Sequence, residues 1–267
     1  MTEILRDEPA PGICRLTLNR PDALNALTYA MYEDIVRLLT DIRYDPSTQV
    51  VILTGAGRAF CAGHDLRAAG EPSWVAPNLG KAQKMRAVMA KLGAITPLMR
   101  SLPQPIIAAI NGVTAGAGYP LAVAADITIA ARSAKFVNAF HNAGTGHEMG
   151  LSYLLPRRVG AARAAELLLT GRAVMAEEAA AIGLILKSVP DEALMDEALS
   201  MAGTIQANSP IGTSLTKQSL WLNETAPSLE AAIEMESRAI FISQSTEDTA
   251  EKRKAFVEKR RPTFTNR

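Results

Sequence analysis

The sequence predicts an α/β protein with an all-helical C-terminal segment. Three observations carry this expectation: β-rich apolar runs alternate with helical patterns, turn residues separate them, and the strand signal stops near Pro190. The runs are Ile13 to Asn19, Val50 to Gly55, Pro105 to Gly112, Asp126 to Ala130 and Leu184 to Val189, all short and rich in Val, Ile and Leu. Such alternation favours substantial parallel pairing. Helical periodicity covers Thr28 to Arg43, Lys81 to Ser101, Leu151 to Val159 and Ala161 to Thr170. Thr28 is a good N-cap because its hydroxyl accepts a free first-turn N–H. Tyr44-Asp45-Pro46-Ser47 then supplies the chemistry of a turn. Beyond Pro190 the amphipathic pieces are helical, which divides the chain into a 1–200 core and a 201–267 helical segment. The latter is too short for much core of its own and is expected to pack on the body or on another copy. Ala69 to Lys81, with Pro72 and Pro77, reads either as a mobile loop over a site or as a plain surface connection.

Composition narrows the function. The 267 residues carry 28 Lys plus Arg against 27 Asp plus Glu, so no overall field attracts nucleic acid or an anionic membrane. No stretch approaches the roughly 18 apolar residues of a membrane span, and the N-terminus does not resemble a leader, so a soluble, cytoplasmic protein is expected. Cys14 and Cys61 have no metal-ligand spacing and read as buried thiols in a reducing compartment. No metal site is expected.

Two glycine-containing turns are candidates for holding negative charge. One is "GAGRAFCAGHDLRAAG", where Asp65 reads as the N-cap of a helix beginning near Leu66 and leaves backbone amides free near His64. The other is "NGVTAGAGYPLAVAAD", with free amides near Ala117 and Gly118. Neither turn is followed by Gly-Lys-Ser/Thr, and Gly112-x-x-x-Gly116-x-Gly118 does not match the dinucleotide fingerprint. A permanent phosphate, a charge that exists only during reaction, and tight helix packing are the readings the residues leave open.

Both turns resemble signatures of the crotonase family, the enoyl-CoA hydratase/isomerase superfamily. The resemblance extends through "LNRPDALNAL", "FCAGHDL", "INGVTAGAGYPLAVAADITIA", "SYLLPRRVG", "LLLTGRAVMAEEAAAIGLI" and "AFVEKRRPTF", in that order. It implies a spiral of ββα units with helices at the C-terminal end, assembled as a homotrimer or dimer of trimers. The implied substrate is an acyl-CoA thioester, with coenzyme A as part of that substrate and no separate cofactor. By position, the peptide N–H groups of His64 and Ala117 are then the two donors to the thioester oxygen. Fixed donors in a dry site stabilise charge as it builds there. An Ala at 117 suits this role if its φ is negative.

Relatives that hydrate enoyl-CoA carry two glutamates, at positions that are Pro120 and Phe140 here. The resemblance thus implies an atypical member without the usual pair. Glu148 matches a catalytic carboxylate of other branches, among them dienoyl-CoA isomerases and aryl-CoA dehalogenases. It also reads as a first-turn acid of the helix that follows. Phe136, Val137, Phe140 and Met149 suggest an apolar setting, in which burial raises a carboxyl pKa. His141 is a candidate second proton carrier, and both it and His147 also read as ordinary loop histidines. "HEMGL" lacks the second histidine of a zinc-protease helix.

For CoA, the resemblance places Ala23, Leu24 and Asn25 and the strip Ala62, His64 and Leu66 along the adenine and pantetheine path. Arg67 falls beside the phosphates, and Phe256 and Lys259 reach the CoA of an adjoining copy. Asp22 departs from a lysine common there. Trp74, Met85, Met89, Phe140 and Trp221 are candidates for shaping the acyl pocket. The implied activity is enolate chemistry on an acyl-CoA, either proton transfer or atypical hydration in fatty-acid or related metabolism. The alternatives are a thioester hydrolase or dehalogenase and a non-catalytic acyl-CoA binder.

Overall fold

The computed structural model describes residues 2–67 and 71–266. β1 (Ile4–Ala10) turns through Gly12, at φ +76°, into β2 (Ile13–Leu18). A 3-10 turn over Pro21–Ala23 leads to α1 (Tyr29–Arg43), where the Thr28 hydroxyl accepts the Met31 N–H at 3.2 Å. β3 (Val50–Gly55) and β4 (Ala59–Cys61) follow, then α2 (Lys81–Gly93) and α3 (Ile95–Ser101). β5 (Ile106–Ile110), β6 (Val113–Ala115), α4 (Gly118–Ala124), β7 (Ile127–Ala131) and β8 (Lys135–Val137) form the middle of the chain. Next come α5 (Ala139–Asn142), α6 (Leu151–Val159), α7 (Ala161–Thr170), β9 (Ala173–Met175), α8 (Ala176–Ala181) and β10 (Lys187–Val189). The chain closes with α9 (Leu194–Gln206), α10 (Pro210–Asn223), α11 (Leu229–Gln244) and α12 (Glu247–Val257).

The strands form a six-stranded sheet, ordered β1-β2-β3-β5-β7-β10, and a four-stranded sheet, ordered β4-β6-β8-β9. From β2 onward the large sheet is parallel. The successive pairs β3/β4, β5/β6 and β7/β8 each send one strand to either sheet, so the chain advances as a coil of strand, strand, helix. This is the mixed α/β architecture with C-terminal helices expected from the sequence. Val50–Ile52 and Ile107–Ile110 are wholly buried because helices cover both faces of a parallel sheet.

Several elements differ from expectation. β1 carries Arg6, Asp7 and Glu8 and escapes a hydrophobic reading, yet as an edge strand it exposes those charges, and Asp7 pairs with Arg15 across the hairpin at 2.5 Å. The helix expected over Lys81 to Ser101 is two helices meeting at Ala94. Pro97 has no N–H to bond back to the Gly93 carbonyl, so one ladder cannot run through. α9 spans residue 200 and packs on β3, β5 and β7. α10 is fastened to the body by buried Lys217, whose ammonium donates to the carbonyls of Met99 (3.0 Å) and Gln104 (2.9 Å) and pairs with Asp126 at 2.8 Å. Trp221 also belongs to this joint rather than to an acyl pocket. Its indole N–H donates to Asp126 at 2.6 Å, and the Arg100 guanidinium lies 3.4 Å over its ring.

Cys14 and Cys61 are free and buried, and burial pushes the Cys61 thiol up to about 12. Among the described residues, no helix is long and apolar enough to cross a membrane and no His, Cys, Asp and Glu cluster could hold a metal.

Candidate active site

Parallel pairing of β4 with β6, Ala59 opposite Val113 and Cys61 opposite Thr114, sets the two glycine turns side by side. Their backbones then touch. Gly63 has φ +100°, and a Cβ there would lie 3.1 Å from Gly116 Cα and 3.2 Å from the Ala117 nitrogen. A Cβ on Gly118 would lie 2.4 Å from the Cys61 carbonyl oxygen. Only glycine fits at 118, and at 63 a side chain would strain the backbone and push the turns apart by a few tenths of an ångström. The first turn is also tied to the loop before α1: Leu27 N–H donates to Gly63 (2.7 Å), Asp65 N–H to Leu27 (2.9 Å) and Ala62 N–H to Leu24 (3.0 Å). These bonds occupy the neighbours of His64 and leave its own peptide N–H without an acceptor among the described residues. The Ala117 N–H likewise has none. Ala117 itself has φ −59°, so an alanine sits there without strain.

The turns open on a cavity of about 650 Å³. Ala62, Gly63, His64, Leu66 and Gly116 line it from the turns, Met85, Val88, Met89 and Leu92 from α2, and Phe140 and Glu148 from the far side. Glu148 is half-buried; its carboxylate has no hydrogen-bond or ion-pair partner among the described residues and is held by burial above the usual carboxylate range, while its backbone carbonyl accepts from the Leu151 N–H at 3.2 Å. The chain leaves it through two left-handed residues, Met149 at φ +53° and Gly150 at φ +75°, before α6 begins. The other acid lining the cavity, Glu71, pairs with Lys84 at 2.5 Å.

The His64 ring packs 5.0 Å from Tyr29 and 5.9 Å from Tyr32, centroid to centroid. Burial lowers its pKa and favours the neutral imidazole. Trp74 supports this wall edge-on to Tyr29, behind the lining rather than in it. His141 is exposed and does not line the cavity, so no proton-carrying role is assigned to it. His147 packs edge-on to Phe140 at 6.4 Å. Pro120 is buried within α4, and Phe136 packs on Tyr119 in the core.

Of the residues marked for CoA, Ala62, His64 and Leu66 line the cavity. Ala23 and Leu24 stand beside it in the turn tied to Ala62. Arg67 is exposed, and its N–H donates to Asp65 at 3.0 Å within a turn. The helix expected from Leu66 and the start of the Ala69 to Lys81 segment fall on residues 68–70, outside the described residues. The remainder of that segment contributes Glu71, Pro72, Val75, Leu79 and Lys81 to the cavity. Phe256, in the last turn of α12, and Lys259, just beyond its end, are exposed and do not line the cavity of their own chain.

Comparison with known proteins now decides the family. Residues 8–267 match the family model described as enoyl-CoA hydratase/isomerase. The chain belongs to this family. It is 42% identical over 265 residues to the probable enoyl-CoA hydratase EchA12 of Mycobacterium tuberculosis, covering 98% of this chain and 93% of that one. It is 38% identical to the 1,2-epoxyphenylacetyl-CoA isomerase of Escherichia coli over 271 residues, all of both chains. Among solved structures, an enoyl-CoA hydratase from Bacillus anthracis superposes with a TM-score of 0.91 at 35% identity over the full length of both. The two-sheet coil of strand, strand, helix is the fold of these structural neighbours.

Proposed function

We propose that the protein binds an acyl-CoA thioester with its carbonyl oxygen between the peptide N–H groups of His64 and Ala117. Glu148 then moves a proton on the acyl chain. The observation that carries this reading is the contact between the turns, which leaves an acceptor-free N–H on each, while His64 and Gly116 line the same cavity as a half-buried carboxylate without a partner among the described residues. Removing a proton next to a thioester shifts negative charge to the carbonyl oxygen, and two preorganised donors stabilise it there. Burial helps Glu148 by bringing its pKa nearer the range useful to a general base. Because Glu71 is neutralised by Lys84, one free carboxylate among the described residues lines the cavity, which favours a single-base proton transfer such as double-bond isomerisation. The name of the Escherichia coli relative agrees with an isomerase.

Hydration is the second reading, favoured by the names of the mycobacterial relatives. It needs the same two donors, with Glu148 activating water and with Pro120 and Phe140 standing where an ordinary hydratase has its glutamates. In either case Ala23, Leu24, Ala62, Leu66 and Arg67 flank the path of the CoA arm. Phe256 and Lys259 would serve a neighbouring copy in a trimer or dimer of trimers, and Phe256 is 83% exposed.

Deuterium uptake next to the thioester in heavy water tests the proposal across a panel of acyl-CoA substrates. Glu148→Gln is expected to slow it by about 10²–10⁴-fold, the usual contribution of a general base. Uptake by the native protein no faster than by the variant, on every acyl chain, would instead indicate a binder without chemistry.

A further inference from the structure

Glu148 opens a tight turn that the Leu151 N–H closes by donating to the Glu148 carbonyl at 3.2 Å, with a non-glycine residue in its left-handed middle. Met149, a side chain larger than glycine or asparagine, adopts φ +53°, a conformation that costs a non-glycine residue energy and persists only where its surroundings hold it. Two features beyond that closing bond hold it here. The Met149 side chain is buried, and its carbonyl accepts a 2.9 Å hydrogen bond from the hydroxyl of Thr96, a buried residue in α3 lying 53 positions earlier. α3 is in turn anchored away from the cavity, where Arg100 donates to the Val123 carbonyl at 3.1 Å and stacks on Trp221.

We infer that Thr96 is a positioning residue, which holds the Met149–Gly150 turn in its left-handed form and so keeps the Glu148 carboxylate directed into the cavity. The inference rests on the proton-transfer reading above. Thr96 does not line the cavity and touches no substrate; it acts through the backbone of Met149. Valine at 96 matches threonine in shape and lacks the donor. Without that donor the Met149 carbonyl loses its partner on α3, and the turn, closed only by its own Leu151 N–H to Glu148 carbonyl bond, is free to shift against α3 and carry Glu148 with it. Burial is the cause that raises the Glu148 carboxyl. The titratable groups beside it or lining the same cavity are the buried Tyr32 phenol on α1, Tyr29, the His64 ring, whose pKa burial lowers, His147, Lys81 and the Glu71–Lys84 pair.

The test compares Thr96→Val, Thr96→Ser and Glu148→Gln by pH profile and by the split between kcat and KM. Thr96→Val is expected to lower kcat by about 10–100-fold, the scale of a misplaced catalytic group, with KM little changed. The acid limb of its kcat profile is expected to move to lower pH, because a carboxylate released toward solvent loses the burial that raised its pKa. Thr96→Ser keeps the donor and should restore both kcat and the limb. A merely structural loss would lower the amount of folded enzyme and leave the limb in place. If Thr96→Val proves insoluble, Gly150→Ala strains the same turn from its other residue, where a Cβ would meet the Thr96 hydroxyl at 3.8 Å, and the same displacement is expected. A limb and kcat that match the native protein in a folded variant, while Glu148→Gln is inactive, would overturn the role of Thr96 alone. An active Glu148→Gln would overturn the underlying mechanism.

Discussion

Replacing Gly63 by alanine isolates the contact on which the site is built. At φ +100° Gly63 occupies a region that an L side chain rarely enters, and its Cβ would lie 3.1 Å from Ala115 O, 3.1 Å from Gly116 Cα and 3.2 Å from Ala117 N. All three neighbours are backbone, so no flexible side chain can swing aside. The strands on either side are paired and buried, and the strain must open the gap between the turns by a few tenths of an ångström. Strained backbone of this kind costs about 1–3 kcal/mol of stability. The catalytic effect should be larger, because moving the Ala117 N–H away from the thioester oxygen forfeits a donor worth about 2.7–4 kcal/mol, or roughly 10²–10³ in kcat. The assay is steady-state turnover of an acyl-CoA selected by the exchange panel, with circular dichroism to confirm folding and calorimetry to measure CoA binding. The expected pattern is a folded protein that retains CoA affinity and has lost kcat. A folded Gly63→Ala enzyme with kcat within a factor of a few of native would show that the two amides do not act together.

Glu148→Gln should also change stability in a pH-dependent way. A carboxyl whose pKa is raised on folding supplies stability that is fully present below its unfolded value, about 4.3, and is lost as pH rises through the folded value. The glutamine variant is therefore expected to melt above the native protein at neutral pH and alongside it near pH 4, as thermal scans would show; equal melting at neutral pH would deny the burial of Glu148. Asp126→Ala removes the shared acceptor of Lys217, Trp221 and the Ile106 N–H, leaving a buried ammonium short of its ion partner. A loss of about 3–5 kcal/mol is expected in urea unfolding, and a loss well below 1 kcal/mol would mean that the α10 joint is held by other contacts.

Much of this was legible in the sequence where local pattern and tertiary placement agree. Val50 to Gly55 reads as a buried strand and is one, and the glycines at 63, 116 and 118 mark close backbone approaches that the structure contains. Elements set by partners rather than by their own pattern were not legible. β4, β6, β8 and β9 are three residues each, too short for any periodicity, and are strands only because they pair with one another. The site divides similarly. His64, Ala117 and Glu148 stand out locally, whereas Thr96 is an ordinary helical residue until α3 is packed against Met149. Tyr29 and Val88 carry no signal of lining a cavity, since large side chains at helical spacing describe a core face equally well.

Infrared difference spectroscopy of an acyl-CoA carrying a carbon-13 thioester carbonyl asks most directly whether two main-chain donors share one oxygen. The account predicts that the carbonyl stretch moves to lower frequency on binding and recovers part of that shift in Gly63→Ala, which loses one donor of the two. A bound carbonyl vibrating as it does in water, in both proteins, would contradict it.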